Sequence, residues 1–416
     1  MTPVRTYWKH TRAICRHTLL RAVAICLLLC MLMEGHVHAE LAATGGVTAL
    51  MRAGVQDGIG IETTFDGFGL LAQFDLLASS VFCGLASLKW GPGRSGSLVM
   101  SGRVPSMPVV GYALDRGRVS YIRFAGLMEP EQSRRILGHR LEYRPNEWLH
   151  LGISETAILS GDASSIMYWP VPGLPLYALQ RVAYQRDRSQ SAKININLDL
   201  EARMYIEPFL LEHRWITRAG TSCVSRDSGL AKAEIYGELF IDDAQGYLRN
   251  RETIPDLVGG LVGLDVPIIR GDQRFRLNVE YVAIANHVYS TRNADSDYVF
   301  CNMGIGHPLG PDADMIVATV SFEPQVGTRI LLRGSVERHG EGRIGDPWTP
   351  EDGKENMFLS GVVEKTAKAS LECRRILAGP AYVFGSSEAS MTRDYAHVLG
   401  LNRCSLSFAV GLGIEL

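Results

Sequence analysis

Beyond residue 39, the sequence has no apolar run long enough to cross a membrane as a helix. Such a helix needs about 20 consecutive apolar residues, and polar or charged residues interrupt every apolar stretch from Glu40 to Leu416. Membrane-spanning strands escape this test because their apolar residues alternate with polar ones. The missing runs therefore exclude a helical membrane protein and leave a soluble protein or a β-barrel.

Basic residues are not in excess either. The chain has 42 Lys and Arg against 44 Asp and Glu, a formal net charge of −2. Nucleic-acid-binding domains carry a basic excess or patch, so we expect no nucleic-acid partner. The 11 His and 8 Cys form no CxxC, HExxH or similar cluster, so we predict no metal site and no cofactor.

Motifs of common enzymes are also missing. Ser154 lies in GISE, which is not a GxSxG nucleophile elbow. The Gly91–Gly96 loop lacks the Gly-Lys-Ser/Thr ending of a phosphate-binding loop. A glycosidase acid–base pair stays open among four carboxylates, but basic residues would balance the same carboxylates without catalysis. The carboxylates are Glu201, Glu207, Glu234 and Glu238, and the basic residues are Arg203, Arg274 and Arg276. We expect no enzyme.

Long strands with strict alternation are what the sequence does contain. In Ser405–Leu416, SLSFAVGLGIEL, apolar residues alternate with small or polar ones, and Ile194–Glu207, Ala233–Asp242 and Arg274–Ala283 repeat the pattern. Side chains of a strand point to alternate faces, and soluble strands average only about five or six residues. A membrane-spanning barrel explains the longer strands, because its closed hydrogen bonding leaves no edge in lipid. For the last segment alone, an edge strand of a soluble sandwich is the alternative.

Connections near the C-terminus alternate in length, as outer-membrane barrels require. The predicted long loops are Gly304–Asp314, His339–Met357 and Gly385–Arg403, and the predicted short turns are Glu323–Thr328 and a turn near Arg374–Ile376. Helix is scarce. The sequence predicts it only over Met51–Gln56 and Glu129–Gly138.

The first 39 residues have the pattern of a secretory signal peptide. Basic residues precede a 12-residue apolar run, Ala22–Met33, and Val37–Ala39 form a small-x-small cleavage site before Glu40. Lipoprotein processing at Cys30 is the alternative, although Leu29 stands where a small residue normally precedes a lipidated cysteine. We predict a signal peptide at 1–39 and one domain over 40–416.

Several sequence blocks follow one another in the order of a known family. They are Lys89–Gly93 with Gly96–Ser101 and Val104-Pro105, His139–Pro145 with Leu149–Glu155, Ile235–Asp243, Glu280-Tyr281 with Tyr289, and Gly304–Asp314. In these blocks the chain resembles the Wzi-like capsule assembly family of outer-membrane lectins. The resemblance implies an all-β fold, a transmembrane antiparallel β-barrel of about 18 strands with short helical plug elements. It also implies a non-enzymatic protein that holds capsular polysaccharide at the cell surface.

Aromatic residues in the predicted outward loops are the candidate sugar contacts. They are Tyr168 and Trp169 in the stretch Gly161–Tyr177, Trp348 in GDPWTPEDGKEN, and Tyr395 in the last long loop. Flat rings can stack on the C–H face of a sugar. Alternatively, they pack a plug or sit in an interfacial girdle. Lys354 and Arg393 lie near these loops and are candidates for pairing with an acidic polysaccharide.

The predicted function is retention of capsular or other surface polysaccharide by a monomeric barrel in the cell outer membrane. Its expected partners are that polysaccharide and outer-membrane lipid. A porin-like diffusion channel for small solutes is the alternative, because large barrels can leave a water channel. Arg274, Arg276 and Glu280 would then set its selectivity. A surface protein that binds host molecules is a third hypothesis.

Overall fold

Most of the described chain is β-strand in the computed structural model. The described residues are 39–44, 48–54, 69–76, 79–129, 133–168, 171–206, 232–243, 256–270, 273–349, 352, 357–378 and 381–414. The predicted signal peptide at 1–39 lies outside them except for Ala39. None of the helices within these ranges has the length and apolar character needed to cross a membrane.

The elements follow one another along the chain with a single α-helix among the described residues, α1 (Leu176–Arg186). The strands are β1 Ala39–Thr44, β2 Thr48–Gly54, β3 Gly69–Leu76, β4 Ser79–Ala86, β5 Lys89–Trp90, β6 Met100–Ser101, β7 Met107–Asp115, β8 Val119–Glu129, β9 Arg134–Asn146, β10 Leu149–Leu159, β11 Ile194–Ile206, β12 Ala233–Asp243, β13 Leu257–Arg270, β14 Gln273–Ile284, β15 Val299–Phe300, β16 Met303–Gly304, β17 Ala313–Gln325, β18 Thr328–His339, β19 Glu364–Ala378, β20 Ala381–Arg393 and β21 Arg403–Ile414. Short 3₁₀ helices cover Ser165–Tyr168, Arg188–Ala192, Ala294–Ser296 and Tyr395–His397.

One sheet contains 17 of these strands. Strands that follow one another in the chain pair with each other, except that β4 pairs with β7 and β14 pairs with β17. Each pairing is antiparallel except the parallel pair β2–β3. The pairs β5–β6 and β15–β16 form two small ladders within long connections. Among the described residues no pairing joins β21 to β1, so the described pairings form an open series.

The long strands carry apolar side chains on an outer face and polar or aromatic side chains on an inner face. On β12, Leu239 is 42% exposed, whereas its neighbours Glu238 and Phe240 are buried. On β21, the outer-face residue Val410 is 83% exposed. A soluble sheet buries its apolar face, so this inverse arrangement is the one expected of strands that face lipid. The strands predicted over Ile194–Glu207 and the other three segments are confirmed, within their described residues, as β11, β12, β14 and β21.

Two connections fold onto the inner face, and we call them together the plug: residues 87–106 and 285–312. Leu98 and Val99 of the plug are fully buried in a cluster with Phe240, Tyr289 and Tyr298. The Tyr289 and Tyr298 rings stack with centroids 5.7 Å apart, and Phe240 lies 5.1 Å from Tyr289. These residues belong to the larger of the two buried clusters, so the main core lies between the plug and the sheet. Burying one such side chain contributes about 1.5–3 kcal/mol.

A smaller core lies beneath α1. Leu176, Leu179 and Ala183 recur at helical spacing, and all three are buried in a cluster with Leu137 and Leu159 of the sheet. The helix begins directly after Pro175. Helical structure therefore sits in the connection between β10 and β11.

Both helices predicted from sequence are wrong in the described residues. Met51–Gly54 belongs to β2, and Arg134–Gly138 belongs to β9. Arg134–Gly138 is held by pairing with β8 and β10 on its two sides. Tertiary pairing here overrides local helix preference.

The predicted connections are correct in order but shifted in position. The long loop predicted at Gly385–Arg403 is shorter, since Gly385–Arg393 continues β20 and only residues 394–402 form the loop. The turn predicted near Arg374–Ile376 is misplaced, because those residues lie within β19, which continues to Ala378 before the chain returns as β20. We call the end of the sheet that carries loops 340–363 and 394–402 the loop end, and the opposite end the turn end.

Candidate functional site

A cavity of about 760 Å³ lies at the loop end, between α1, the plug and the adjoining ends of β11 and β12. Tyr177 and Trp348 supply aromatic surface, and the polar lining includes Glu155, Asn195, Asp242, Arg292 and Asn293. Ligand sites combine apolar or aromatic walls with a few placed polar groups. The lining has both.

The loop that carries Trp348 is fixed to the plug through Asp312. The Gly340 N–H donates to the Asp312 carbonyl at 2.8 Å, and the Gly342 N–H donates to its Oδ2 at 2.9 Å. Ser360, near the other end of the loop, donates through its N–H and hydroxyl to the same carboxylate. A Cβ at Gly342 would lie 2.0 Å from Asn286 Oδ1, so only glycine fits at this approach.

Two further contacts hold the residues directly before Trp348. The Gly345 N–H donates to Ser290 Oγ at 3.0 Å, and His287 Nδ1 donates to the Asp346 carbonyl at 2.8 Å. Nδ1 is the donor because a carbonyl can only accept. Trp348 is 8% exposed, so its indole forms a fixed wall of the cavity.

The polar groups of the cavity are fixed by contacts to neighbouring elements. Glu155 of β10 accepts from His139 Nε2 at 2.7 Å and from the Leu176 N–H, at the start of α1, at 2.5 Å. Asp242 of β12 accepts from the Tyr289 N–H at 2.5 Å. Such contacts place both carboxylates before any ligand arrives, which lowers the ordering cost of binding.

Buried carboxylates of the sheet anchor the plug. Glu238 of β12 accepts from the Leu98 and Val99 N–H groups at 2.7 and 3.0 Å. Glu280 of β14 accepts from the N–H groups of Arg94 and Ser95 at 2.5 and 2.6 Å. The two carboxylates thereby satisfy backbone donors that would otherwise be buried without a partner.

Two tyrosines of the plug complete this anchor. The Tyr289 hydroxyl donates to the Leu98 carbonyl at 2.8 Å, and the Tyr298 hydroxyl donates to the Val99 carbonyl at 2.9 Å. Burial raises the pKa of both hydroxyls well above the usual phenol value. They therefore keep their protons and remain donors.

Several blocks that carried the family resemblance meet at this anchor. Gly96–Ser101 supplies the plug backbone, Ile235–Asp243 and Glu280-Tyr281 supply its carboxylates, and Tyr289 supplies a hydroxyl donor. The resemblance thus lies largely in residues that position the plug. It contributes few residues to the cavity wall.

Structural partners account for the carboxylates considered for a glycosidase pair. Glu201 pairs with Arg140 at 2.5 Å and also with Arg203. Glu234 pairs with Arg94 at 2.7 Å, and Glu238 binds the plug backbone. Glu207 lies outside the described residues.

Of the six predicted sugar-contact residues, the structure places Trp348 in the cavity. Tyr168 lies in a 3₁₀ helix, half-buried, where Arg135 Nη1 donates to its hydroxyl at 3.1 Å. Tyr395 lies in the last loop, with the guanidinium of Arg403 4.8 Å from its ring centroid. Arg393 is exposed at the end of β20. Trp169 and Lys354 lie outside the described residues.

Sequence reasoning missed the other cavity residues. Tyr177 is the last residue of the Pro/Gly-rich stretch Gly161–Tyr177 that also contains Tyr168, and its aromatic ring is the sequence signal that marks it. Arg292 and Asn293 lie in a polar connection without an aromatic signal, and their position follows only from the fold of the plug.

The fold is similar to solved outer-membrane β-barrels. Wzi of Escherichia coli, described as a carbohydrate-binding β-barrel involved in group 1 capsule assembly, matches at 14% identity and a TM-score of 0.56, covering 83% of this chain and 69% of Wzi. At lower TM-scores, the Pseudomonas aeruginosa protein OccK10 (0.40, 11% identity, 84% of each chain) and the Acinetobacter baumannii channel DcaP (0.35, 9% identity, 82% of this chain and 81% of DcaP) also match. No protein-family model and no curated protein sequence matches the chain. The fold class is therefore that of the outer-membrane β-barrels, as predicted.

Proposed function

We propose that the chain is exported by a signal peptide at 1–39, and that residues 40–416 form a closed barrel in the outer membrane. The outer face supports this placement, because exposed apolar residues such as Leu239 and Val410 form the band that lipid would cover. The series of strand pairings from β1 to β21 would then close through a pairing between its first and last strands.

We further propose that the protein binds and retains a surface polysaccharide without catalysis. The observation that carries this proposal is the loop-end cavity, with its fixed Trp348 wall beside carboxylate, amide and guanidinium groups. Indole can stack on the C–H face of a sugar, while Glu155 and Asn293 can bond its hydroxyls. Many such contacts along a repeating polymer would add avidity. Similarity to Wzi, which is described as carbohydrate-binding, supports the same function.

Trp348→Ala tests the proposal against a matched tryptophan. Trp148, 49% exposed at the turn end, provides the control Trp148→Ala. Detergent-purified wild-type protein should bind polysaccharide extracted from the surface of the producing cells. Trp348→Ala should weaken this binding about tenfold, a typical loss for a central aromatic contact, and Trp148→Ala should leave it unchanged. Equal binding by both variants would refute a role for the cavity.

A diffusion channel is the second candidate, and the inner face of β19–β21 favours it. Ser405, Ser407 and Ala409 are exposed there, so the plug does not cover this part of the inner face. Single-channel conductance of the purified protein in a planar bilayer separates the two functions. Large steady steps would support the channel, whereas a folded, heat-modifiable protein without steps would support the sealed binding protein.

A further inference from the structure

A second cavity, of about 460 Å³, lies between the plug and the inner face of β17–β20. Its lining differs from that of the loop-end cavity, since charged and hydroxyl groups dominate it. They include Ser95, Arg103, His307, Arg333, Glu337 and Lys368. The proposed function assigns no role to this cavity.

Two arginines face this cavity without a carboxylate partner among the described residues. Arg103 comes from the plug and Arg333 from β18. Arg103 Nη2 donates to the Ser95 carbonyl at 3.0 Å, which leaves its charge unbalanced. Both guanidinium groups line this one cavity, and burial and then the charge of Arg333 lower the pKa of Arg103.

Several other cations of the inner face and the plug have a carboxylate within ion-pair distance: Arg94, Arg140, Arg276 and Lys368. Lys368 also lines the cavity, and its Nζ lies 2.8 Å from Glu337 Oε2. The charge of Lys368 is thereby neutralised, which leaves two arginines, Arg103 and Arg333, and two carboxylates, Glu372 and Glu388, in the lining without an ion-pair partner among the described residues.

His307 adds no positive charge to the cavity, and its contact with Ser95 leaves the Ser95 hydroxyl free to donate to a ligand. Burial, Arg103 and Arg333 lower its pKa to about 3, so the ring is neutral at ordinary pH. Its Nδ1 accepts from the Leu309 N–H at 3.1 Å, so the proton of the neutral ring lies on Nε2. Nε2 then donates to Ser95 Oγ at 3.2 Å, and the Ser95 hydroxyl keeps its own hydrogen for an acceptor in the cavity.

We propose that Arg103, Arg333 and Ser95 bind the carboxylate of a small hydroxylated acid, such as a free uronate, in this cavity. Guanidinium groups bind carboxylates through paired, charge-assisted hydrogen bonds, and Ser95 supplies a third donor. Glu372 and Glu388 also line the cavity. Their carboxylates would accept from the hydroxyls of the ligand and would repel a more highly charged anion.

The test is calorimetric titration of the detergent-purified, full-length protein with sodium glucuronate, with glucose and inorganic phosphate in parallel. Wild-type protein should bind glucuronate and show weaker binding or none with the other two. Arg333→Gln and Arg103→Gln should each weaken glucuronate binding about tenfold through loss of a charge-assisted pair. Arg276→Gln, which removes an exposed arginine paired with Asp265 away from the cavity, should leave it unchanged.

Any one of four results would overturn the inference: unchanged glucuronate affinity in Arg333→Gln, equal affinity for glucose, tighter binding of phosphate, or no glucuronate binding by the folded wild-type protein. Heat-modifiable migration on a gel checks that each variant is folded. The inference does not depend on the loop-end cavity, so Trp348→Ala should keep full glucuronate affinity whatever it does to polysaccharide binding.

Discussion

The inner face of the sheet has two contrasting walls. We call β10–β12 with β14 the covered wall, and β19–β21 the bare wall. On the covered wall, Ser154 is 1% exposed and Asn197 0%. On the bare wall, Ser405 and Ser407 are exposed although they also lie on the inner face. The plug accounts for the difference, because its two segments pack against the first wall.

The outer faces of the two walls are alike, and this shows what the strand pattern encodes. Leu239 of the covered wall is 42% exposed and Leu406 of the bare wall 64%. The inner faces differ in chemistry: Glu238 and Glu280 bind plug N–H groups on the covered wall. On the bare wall, the Cβ of any residue replacing Gly411 would lie 2.5 Å from the Phe384 ring, so strand neighbours fill that face themselves.

The largest expected effect comes from breaking the plug anchor. Glu238→Ala should leave the Leu98 and Val99 N–H groups without an acceptor, at about 1–3 kcal/mol each for a buried group. Glu238→Gln keeps an acceptor and should lose less, and Glu388→Ala on the bare wall should lose almost nothing. Urea denaturation, followed by gel mobility, measures the free energy of unfolding of the three variants. Equal losses for Glu238→Ala and Glu388→Ala would remove the distinction between the walls.

The next effect compares the two faces of a single bare strand. Val410→Arg would place a charge on the outer face of β21, which costs about 2–4 kcal/mol near the centre of a bilayer. Ala409→Arg would place the same charge on the exposed inner face and should cost little. Refolding yield into lipid vesicles across a urea series measures both. Equal refolding yields for Val410→Arg and Ala409→Arg would contradict an outer surface that faces lipid.

A smaller effect should appear as a pH dependence of the plug. Burial, Arg103 and Arg333 lower the pKa of His307 to about 3, below its unfolded value, so the folded state favours the neutral ring. The full contribution to stability is present above pH 6.5 and is lost as the pH falls from there toward 3, about 2 kcal/mol between pH 7 and 5. Denaturation at these two pH values measures the loss.

The variant His307→Asn should reduce this pH dependence, since its amide oxygen can still accept from the Leu309 N–H but does not titrate. His397→Asn, in the loop between β20 and β21 of the bare wall, is the matched control and should keep the wild-type slope. An unchanged slope in His307→Asn would place the titrating group elsewhere.

The smallest predicted effect compares one tyrosine hydroxyl of the plug with one of the bare wall. Tyr298→Phe removes the donor to the Val99 carbonyl and should destabilise the protein by about 1 kcal/mol. Tyr382→Phe on the bare wall should change stability less, because its hydroxyl has no hydrogen-bond partner among the described residues. Paired urea titrations distinguish them. A larger loss in Tyr382→Phe would be inconsistent with the plug as the main core.

The sequence predicted the strands best where the two faces differ most. The alternation around Glu238 and Leu239 fixed β12, because both membrane and plug demand a strict period of two. The loop predicted over Gly385–Ala389 is wrong; Gly, Ser and Ala dominate this segment, and neither of its faces contacts a packed core. Backbone pairing on both sides, with β19 and β21, makes it a strand nonetheless.

The cavity could be predicted only in part. Trp348 stood out as an aromatic residue in a polar loop, whereas its burial depends on contacts of Asp312 and Ser290 that lie far away along the chain. Arg103 and Arg333 are separated by more than half of the chain and carry no motif. Their proximity arises from the fold of the plug, which strand periodicity does not encode.

The most direct test of the two-wall account is the accessibility of the two inner faces to a water-soluble maleimide. Single cysteines, Ser154→Cys on the covered wall and Ser407→Cys on the bare wall, would be placed in a background without the native cysteines. Because exposure controls thiol labelling, we predict at least about tenfold faster reaction at position 407 in the folded protein, with equal rates after denaturation. Equal rates in the folded protein would show that the plug does not cover the wall of β10–β12, and would contradict the account.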